Sequence, residues 1–365
     1  MSFARLEPYN ALPPVPPQAA IETTCVMRAC LRASRLLAEL KGRVELLPDP
    51  SLLINAIPLQ EAQSSSEIEN IVTTQDELFQ AAASDGAMLD PQTKEVLRYR
   101  SALRLAFDHV TERGLTLGLV REIACVLMGQ PMAFRAASEQ VRLGTALSGH
   151  VAYTPPSGGL VVLDKLDNWL AFACGRGEGA ALDPLLRMAI SHYQFEAIHP
   201  FLDGNGRTGR ILNLALLVQD GLLTLPVLYL SRYILQHKQA YYDLLAAVTE
   251  RQAWQPWLLF VLTGIEETAR LTLAQLAAVS DLMAQTVVRC RHALPKRVYS
   301  KELIELIFRQ PYCKVAFVVE AGIAKRQTAA TYLQALQSIG VLRGERRGRE
   351  VIYKHLALVD ALGVV

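Results

Sequence analysis

His199-Pro-Phe-Leu-Asp-Gly-Asn-Gly-Arg-Thr-Gly-Arg210 decides how this chain is read. The stretch holds a His, an Asp, three Gly and two Arg between two apolar helical patterns. Upstream, Asp183-Pro184 makes a helix start, because Asp accepts from the first free N–H groups and Pro fits the first turn. Leu185, Leu186, Ala189, Ile190, Tyr193 and Ala197 then recur at helical spacing, and Pro200 forbids continuation past His199. Downstream, a second helix is expected to open near Arg207. It carries Ile211, Leu212, Leu214, Ala215 and Val218 and meets Gly221 at its C-cap. A glycine-rich loop ending on a helix N-terminus offers free N–H groups and the positive end of a dipole, which is a setting for an anion.

Two other interpretations are weaker. Gly204 to Gly209 spells a dinucleotide-binding GxGxxG, but that motif needs a preceding strand and an acid about 20 positions on. A helix precedes this one, and Asp220 comes too soon. An ordinary helix connection with His199 as a satisfied core histidine leaves Asp203, Asn205, Arg207 and Arg210 crowded into one turn for no reason, since buried charges are costly unless paired. As chemistry, the residues suit phosphate transfer. A hydroxyl nucleophile needs a base, and His199 titrates in the right range. Asp203 can hold Mg²⁺ through oxygen. Backbone N–H groups around Gly204 to Arg207 can cradle phosphate oxygens, and Arg207 and Arg210 can neutralise charge through two donors each.

The stretch resembles the signature of the Fic family, H-x-F-x-(D/E)-G-N-G-R-x-x-R, at every defined position. The resemblance implies a mainly α fold: a helical core that transfers a nucleoside monophosphate, typically AMP from ATP, to a protein hydroxyl. It assigns His199 as base, Asp203 to the metal and Asn205 to the phosphates. It assigns Gly204, Gly206 and Arg207 to the anion hole and Arg210 to the γ-phosphate.

With 365 residues the chain is long enough for two or three domains, and 51% hydrophobic residues can fill a core. With the resemblance, the chain is expected to divide into 1–100 (an N-terminal helical region with an inhibitory helix), 101–293 (a Fic catalytic core) and 294–365 (a winged-helix domain). No run of about 18 apolar residues is evident, so no membrane partner is expected. Met1 to Gln18 has no apolar secretory core. The six Cys form no CxxC pair and the seven His no HExxH, which points to a reducing cytoplasm and away from a catalytic zinc. Charge is uneven. From Pro295 to Val365 there are 12 Lys and Arg against 6 Asp and Glu, in a chain of net charge +2.

In the N-terminal region, the prolines of residues 8–17 suggest an extended arm lying on the body. A helix is expected over Ala19 to Leu40, a turn at Leu47 to Pro50, a short helix ending at Asn70, and a helix opened by the capping box Thr74-Gln-Asp-Glu77 and broken at Ser84 to Gly86. A long helix should start at Asp90-Pro91. Ser65 and Glu69 are four apart on one helical face. A solvated helix end is the bland explanation. Beside the signature, Ser65 and Glu69-Asn70 resemble the family's inhibitory motif, (S/T)-x-x-x-E-(G/N). That implies a bidentate pairing of Glu69 with Arg210 that leaves the γ-phosphate misaligned.

Further on, Val141-Arg-Leu143, His150 to Tyr153 and Leu160 to Leu163 have strand character, with a tight turn at Thr154 to Gly159. An ordinary surface hairpin is the common case; Tyr153, Thr154 and Pro155 resemble the family's flap, which docks a target segment by strand addition. Tyr229, Ser231, Tyr233, Tyr241 and Tyr242 are candidates to border an adenine, although aromatics at helical spacing are usually core. Trp257 to Arg291 should form one or two long helices. Beyond Leu294-Pro295, three helices and two strand-like pieces resemble a winged helix. Ala324 to Thr331 would open its recognition helix, and Arg346, Arg347 and Arg349 would lie on its wing. DNA is one partner such a unit takes; protein docking or a homodimer is the other.

Together these features point to a protein adenylyltransferase with ATP and Mg²⁺, acting on Ser, Thr or Tyr hydroxyls of proteins including itself and restrained by Glu69. Three alternatives stay open: removal of AMP at the same site, transfer of UMP, phosphocholine or phosphate, and a nucleotide-sensing DNA-binding regulator.

Overall fold

The computed structural model describes residues 3–47, 51–83, 89–145, 150–347 and 350–363. The expected turn at 48–50 and the break at Ser84 to Gly86 lie outside them, as does Arg349. The N-terminal arm does lie on the body. Leu12 and Val15 are buried, Lys165 Nζ donates to Leu12 O at 2.8 Å, and Asn168 bonds both Val15 N and Val15 O.

Helix α1 (Thr24–Glu45) starts at an N-cap Thr23, several residues later than the apolar pattern suggested. Helix α2 (Ser51–Ile68) is longer than expected and contains Pro58. Helix α3 (Gln75–Ala83) opens on the anticipated capping box, with Glu77 N donating to Thr74 Oγ1 and Thr74 N to Glu77 Oε2. Helix α4 (Pro91–Arg113) is capped by Asp90 and runs through the expected boundary at residue 100. Helix α5 (Leu117–Met128) follows.

Strands β1 (Leu143–Thr145) and β2 (His150–Tyr153) pair antiparallel, Leu143 opposite Tyr153 and Gly144 opposite Val151. Leu160 to Leu163, expected as strand, is instead the first turn of α6 (Leu160–Ala173). A short continuous apolar run fits either structure, and packing decided it: Val162, Leu166 and Trp169 fall on one helical face and are buried, with Trp169 Nε1 donating to Ser191 O.

Helices α7 (Pro184–Ile198) and α8 (Asn205–Gln219) flank the glycine-rich loop and are buried along nearly their whole lengths. After α9 (Leu230–Gln236) and α10 (Lys238–Arg251) comes a single 40-residue helix, α11 (Trp254–Ala293). By length and composition α11 is apolar enough to cross a membrane, which corrects the expectation that no such run exists. It carries Glu266, Glu267 and Arg270, and it packs along α1, to which Arg32 is joined through Glu266 at 2.9 Å.

The C-terminal unit comprises α12 (Lys301–Arg309), β3 (Tyr312–Cys313), α13 (Val315–Glu320), α14 (Arg326–Ser338), β4 (Arg343–Arg347), β5 (Glu350–Lys354) and α15 (Leu356–Ala361). Its sheet has the order β3-β5-β4, antiparallel throughout. The two-residue β3 is too short for a periodicity signal and was not anticipated. A second apolar cluster fills this unit and takes in Ala56 and Leu59 of α2, Phe79 of α3, and Val279 and Cys290 of α11. Helix α2 therefore bridges the larger apolar core, through Ile57, Ala62 and Ile68, and the C-terminal unit.

Candidate active site

The loop between α7 and α8 is shaped by backbone rules. Asp183 Oδ1 accepts from Leu185 N at the head of α7. At its tail, His199 is the C-cap in a left-handed conformation (φ 49°), rare for a residue with a Cβ, and its N–H returns to Phe195 O at 3.0 Å. Gly204 takes φ 78° as the N-cap of α8, which opens at Asn205, two residues earlier than expected. Asn205 closes the turn: Phe201 N donates to its Oδ1 and its Nδ2 donates to Phe201 O, both at 2.8 Å. Its amide thus holds the loop backbone rather than standing free for a phosphate.

His199 is half-buried, with Nδ1 shielded and unpartnered. Burial, aided by the positive Arg135, pushes its imidazole down to about 4. At neutral pH the ring is therefore unprotonated and able to accept a proton. Asp203 is largely exposed; its Oδ1 accepts from Gly204 N and lies 3.8 Å from Arg207 Nη2. Arg207 is buried and ion-paired with Glu95 of α4.

Arg210, 3% exposed, faces α2. Its Nε donates to Ser65 Oγ, and its Nη2 donates both to Ser65 O and to Glu69 Oε1, each at 2.8 Å. The expected contact exists, but the carboxylate uses one oxygen rather than two, and Ser65 supplies the other acceptors. Burial would raise the Glu69 carboxyl, but the charge and hydrogen bond of Arg210, with Arg207 and Lys238, outweigh it and hold it below the usual range. Gly206 makes room for this arrangement, since a Cβ there would collide with Glu69 Oε1. Asn70 takes a left-handed conformation just after α2 and accepts from Lys238 at 3.2 Å.

The aromatic candidates are engaged elsewhere. Tyr229 hydroxyl bonds Ser64 of α2 at 2.7 Å, Ser231 bonds Glu61, and Tyr241 bonds His192 Nε2 at 2.8 Å. Tyr233 packs on His237 and Phe260. Tyr233 and Tyr241 border a void of about 10 Å³, room for one water and not for a base. Tyr242 is exposed. In the hairpin, Tyr153 hydroxyl donates to Ala197 O at 2.8 Å. Thr154 is buried under the arm: its Oγ1 donates to Arg5 O and its carbonyl accepts from Tyr9 N. Pro155 is buried beside it.

Four residues without a sequence signal complete the site. Glu61 of α2, fully buried, accepts from Ser231 N at the first turn of α9 and from Tyr99 hydroxyl. Glu95 pairs with Arg207. Glu196, one turn before His199, has a shielded Oε1 with no partner, and burial pushes its carboxyl up to about 7. Arg135 donates to His199 O at 2.8 Å. Glu61, Glu95 and Arg135 each meet a partner far away in the chain, and Glu196 is set apart only by its burial, so no local pattern marks them.

Three family models match the chain. Residues 27–108 match the Fic/DOC family N-terminal model, 115–217 the Fic/DOC family model, and 282–358 the C-terminal domain of SoFic-like protein adenylyltransferases. Among curated proteins, the chain is 27% identical over 220 residues to an Aedes aegypti protein named protein adenylyltransferase Fic, covering 59% of this chain and 40% of that one. It is 36% identical over 110 residues to a probable protein adenylyltransferase of Aquifex aeolicus, covering 30% and 31%. The chain thus spans less than half the length of these relatives. A Fic family protein from Desulfovibrio desulfuricans superposes with a TM-score of 0.57 at 20% identity, over 93% of this chain and 98% of that one. Fic-1 from C. elegans superposes with a TM-score of 0.51 at 18% identity, over 68% and 73%. These structural likenesses establish the mainly α fold.

Proposed function

The chain belongs to the Fic/DOC family, and on that premise we propose that it transfers AMP from ATP to a hydroxyl of a protein and is held back by its own α2. The hydroxyl oxygen attacks the α-phosphorus, pyrophosphate leaves, and His199 takes the hydroxyl proton. A positioned base of this kind contributes about 10²–10⁴-fold. Its unprotonated state at neutral pH supports the assignment. The free N–H groups at the head of α8 suit the phosphate oxygens. Among the described residues no three metal-ligating side chains cluster, so the donor set is one exposed carboxylate, Asp203. That fits Mg²⁺, which Asp203 would hold together with phosphate oxygens and water, and whose charge would offset that of the phosphates. Six unpaired thiols are consistent with a cytoplasmic setting.

One observation carries the inhibition: Nε and Nη2 of Arg210 are engaged by Ser65 and Glu69 of the same chain. A γ-phosphate that binds Arg210 must displace Glu69 from it. If it fails to, the triphosphate sits out of line, and misplacement by about 1 Å costs roughly 10²-fold. Replacing Glu69 with Gly removes the carboxylate that competes with a γ-phosphate for Arg210 and leaves the two bonds to Ser65 in place. The full chain carrying Glu69→Gly, incubated with α-labelled ATP and Mg²⁺, is expected to label protein, itself included, about 10²-fold faster than wild type. An unchanged or lower rate in a folded variant would remove Glu69 from the inhibitory role.

Nucleic-acid contact through the C-terminal unit is a second proposal, supported by the exposed Lys325 and Arg326 at the head of α14 and Arg346 on the β4–β5 hairpin. Binding of a duplex that weakens steeply with salt is expected. A flat salt dependence, or no binding at low salt, favours a protein partner instead.

A further inference from the structure

We propose that Arg135 is a positioning residue that locks the catalytic His199 and the root of the β1–β2 hairpin into one rigid unit; this rests on His199 being the proton acceptor. Arg135 is 2% exposed. Its Nε donates to His199 O at 2.8 Å. Its Nη2 donates to Ile198 O at 3.1 Å and to Pro156 O at 2.8 Å, and its Nη1 donates to Glu139 O at 3.3 Å. Its backbone continues the clamp: Arg135 N donates to Pro200 O at 2.9 Å, and Gly159 N donates to Arg135 O at 2.7 Å. Gly158 permits this approach, since a Cβ there would overlap Ala136 O and Arg135 O.

Among the described residues no carboxylate forms an ion pair with this guanidinium; the Glu139 carboxylate instead accepts from Ala136 N at 2.7 Å. The charge is balanced by carbonyl dipoles, two of them at the C-terminal end of α7, where a cation is favoured. The planar five-donor fork of arginine suits four carbonyls converging from separate segments, and a lysine ammonium has neither the reach nor the geometry. The clamp also explains how a non-glycine residue holds φ 49° at His199. Such a backbone persists only where its surroundings over-determine it, and Arg135 grips the carbonyls on both sides of that Cα.

Two consequences separate a positioning role from bulk support. Loss of the fork should let the imidazole shift while the triphosphate contacts at α8 remain. Loss of the charge should make the imidazole easier to protonate. The other charged groups around it are Glu69 from α2, Glu196 on α7, and Asp203, Arg207 and Arg210 around the loop and α8; all of these are unchanged by the substitution.

The test uses the full chain with Glu69→Gly as the active parent. Arg135→Gln is expected to lower kcat about 10²-fold with KM for ATP within about twofold, and to move the acid limb of the pH–rate profile upward, toward the ordinary histidine range. Arg135→Lys is expected to keep the acid limb of the parent without restoring kcat, since it keeps the charge and loses the fork. An unaltered kcat and pH profile in both variants, or a change in KM alone, would overturn the proposal. Titration of the His199 imidazole by ¹⁵N NMR in otherwise wild-type protein needs no turnover. The same His199 midpoint with Arg135 and with Gln would overturn it as well. Should the Glu69→Gly parent transfer nothing, the adenylyltransferase proposal fails, and the titration still decides Arg135. If Arg135→Gln does not fold, Arg135→Lys carries both measurements: full kcat in it refutes the fork.

Discussion

Helix α2 is gripped at its two ends by different physics. Toward its C-terminal end the contacts are polar and specific: Glu61 to Ser231 and Tyr99, Ser64 to Tyr229, and Ser65 and Glu69 to Arg210. Upstream, Ala56 and Leu59 sit in the apolar cluster of the C-terminal unit, and Gln60 Nε2 reaches Leu362 O at 2.8 Å. The neighbouring α3 is seated on the same unit, with Phe79 stacked on Tyr312 in the apolar cluster and Asp76 paired with Lys354 at its edge. Directional polar contacts can be exchanged one for one with a ligand, as a γ-phosphate could exchange for Glu69. Apolar burial has no such competitor and sets how firmly the helix is seated. The difference teaches that the contact at the active site is open to exchange with a ligand, whereas seating against the C-terminal unit sets how firmly the segment bearing Glu69 is held there.

The largest expected effect breaks the polar end from the other side. Arg210→Ala removes the contact to Glu69 as surely as Glu69→Gly does, yet it also removes a donor for the triphosphate. In the Glu69→Gly background it should lower labelling about 10²–10³-fold, the usual cost of one such donor. Labelling equal to the parent would show that Arg210 serves inhibition alone. The apolar end is sharpened by Leu59→Ala. Leu59 is 2% exposed and already borders a cavity of about 200 Å³ with Phe79, Arg100 and Tyr312. Truncation should cost about 2–5 kcal/mol in urea unfolding. It should also raise labelling with Glu69 intact, by less than Glu69→Gly does; a destabilised but equally silent enzyme would uncouple seating from inhibition.

The smallest effect lies within the C-terminal unit. Burial pushes His355 down to about 4, and Leu358 N donates to its Nδ1, which requires an unprotonated ring. The folded value lies below the unfolded one, so this group stabilises fully above about pH 6.5, and that contribution is lost as pH falls toward 4. His355→Asn keeps an N-cap acceptor and removes the titration. The drop in urea midpoint between pH 7 and pH 5 should be smaller in the variant; an equal drop would assign the pH dependence to other groups.

Much of the site was legible because its rules are local. Asp183-Pro184, Pro200 and Gly204 act on their own turns, and the two helices followed from apolar spacing. The misreading at Leu160 to Leu163 has the same origin: four consecutive apolar residues carry no period, and only the burial of Val162, Leu166 and Trp169 chose helix. Near Pro58 only a short helix ending at Asn70 was expected, and α2 instead starts at Ser51 and runs through Pro58, with α4 and α9 packed against it. The aromatic stretch around Tyr229 to Tyr242 was ambiguous in sequence, and the hydroxyls of Tyr229 and Tyr241 proved committed to Ser64 and His192.

From the sequence alone came the twelve-residue loop, the caps that hold its helices, and the pairing of Ser65 with Glu69 on one helical face, since each depends on residues within about four positions of one another. The tertiary structure decided that Arg210 gives Ser65 as many hydrogen bonds as a carboxylate would take, that Glu61 caps α9 from 170 residues away, and that Arg135 clamps His199. A buried donor or charge must find its acceptor once water is excluded. Which acceptor is in reach depends on packing between segments that the order of residues leaves far apart.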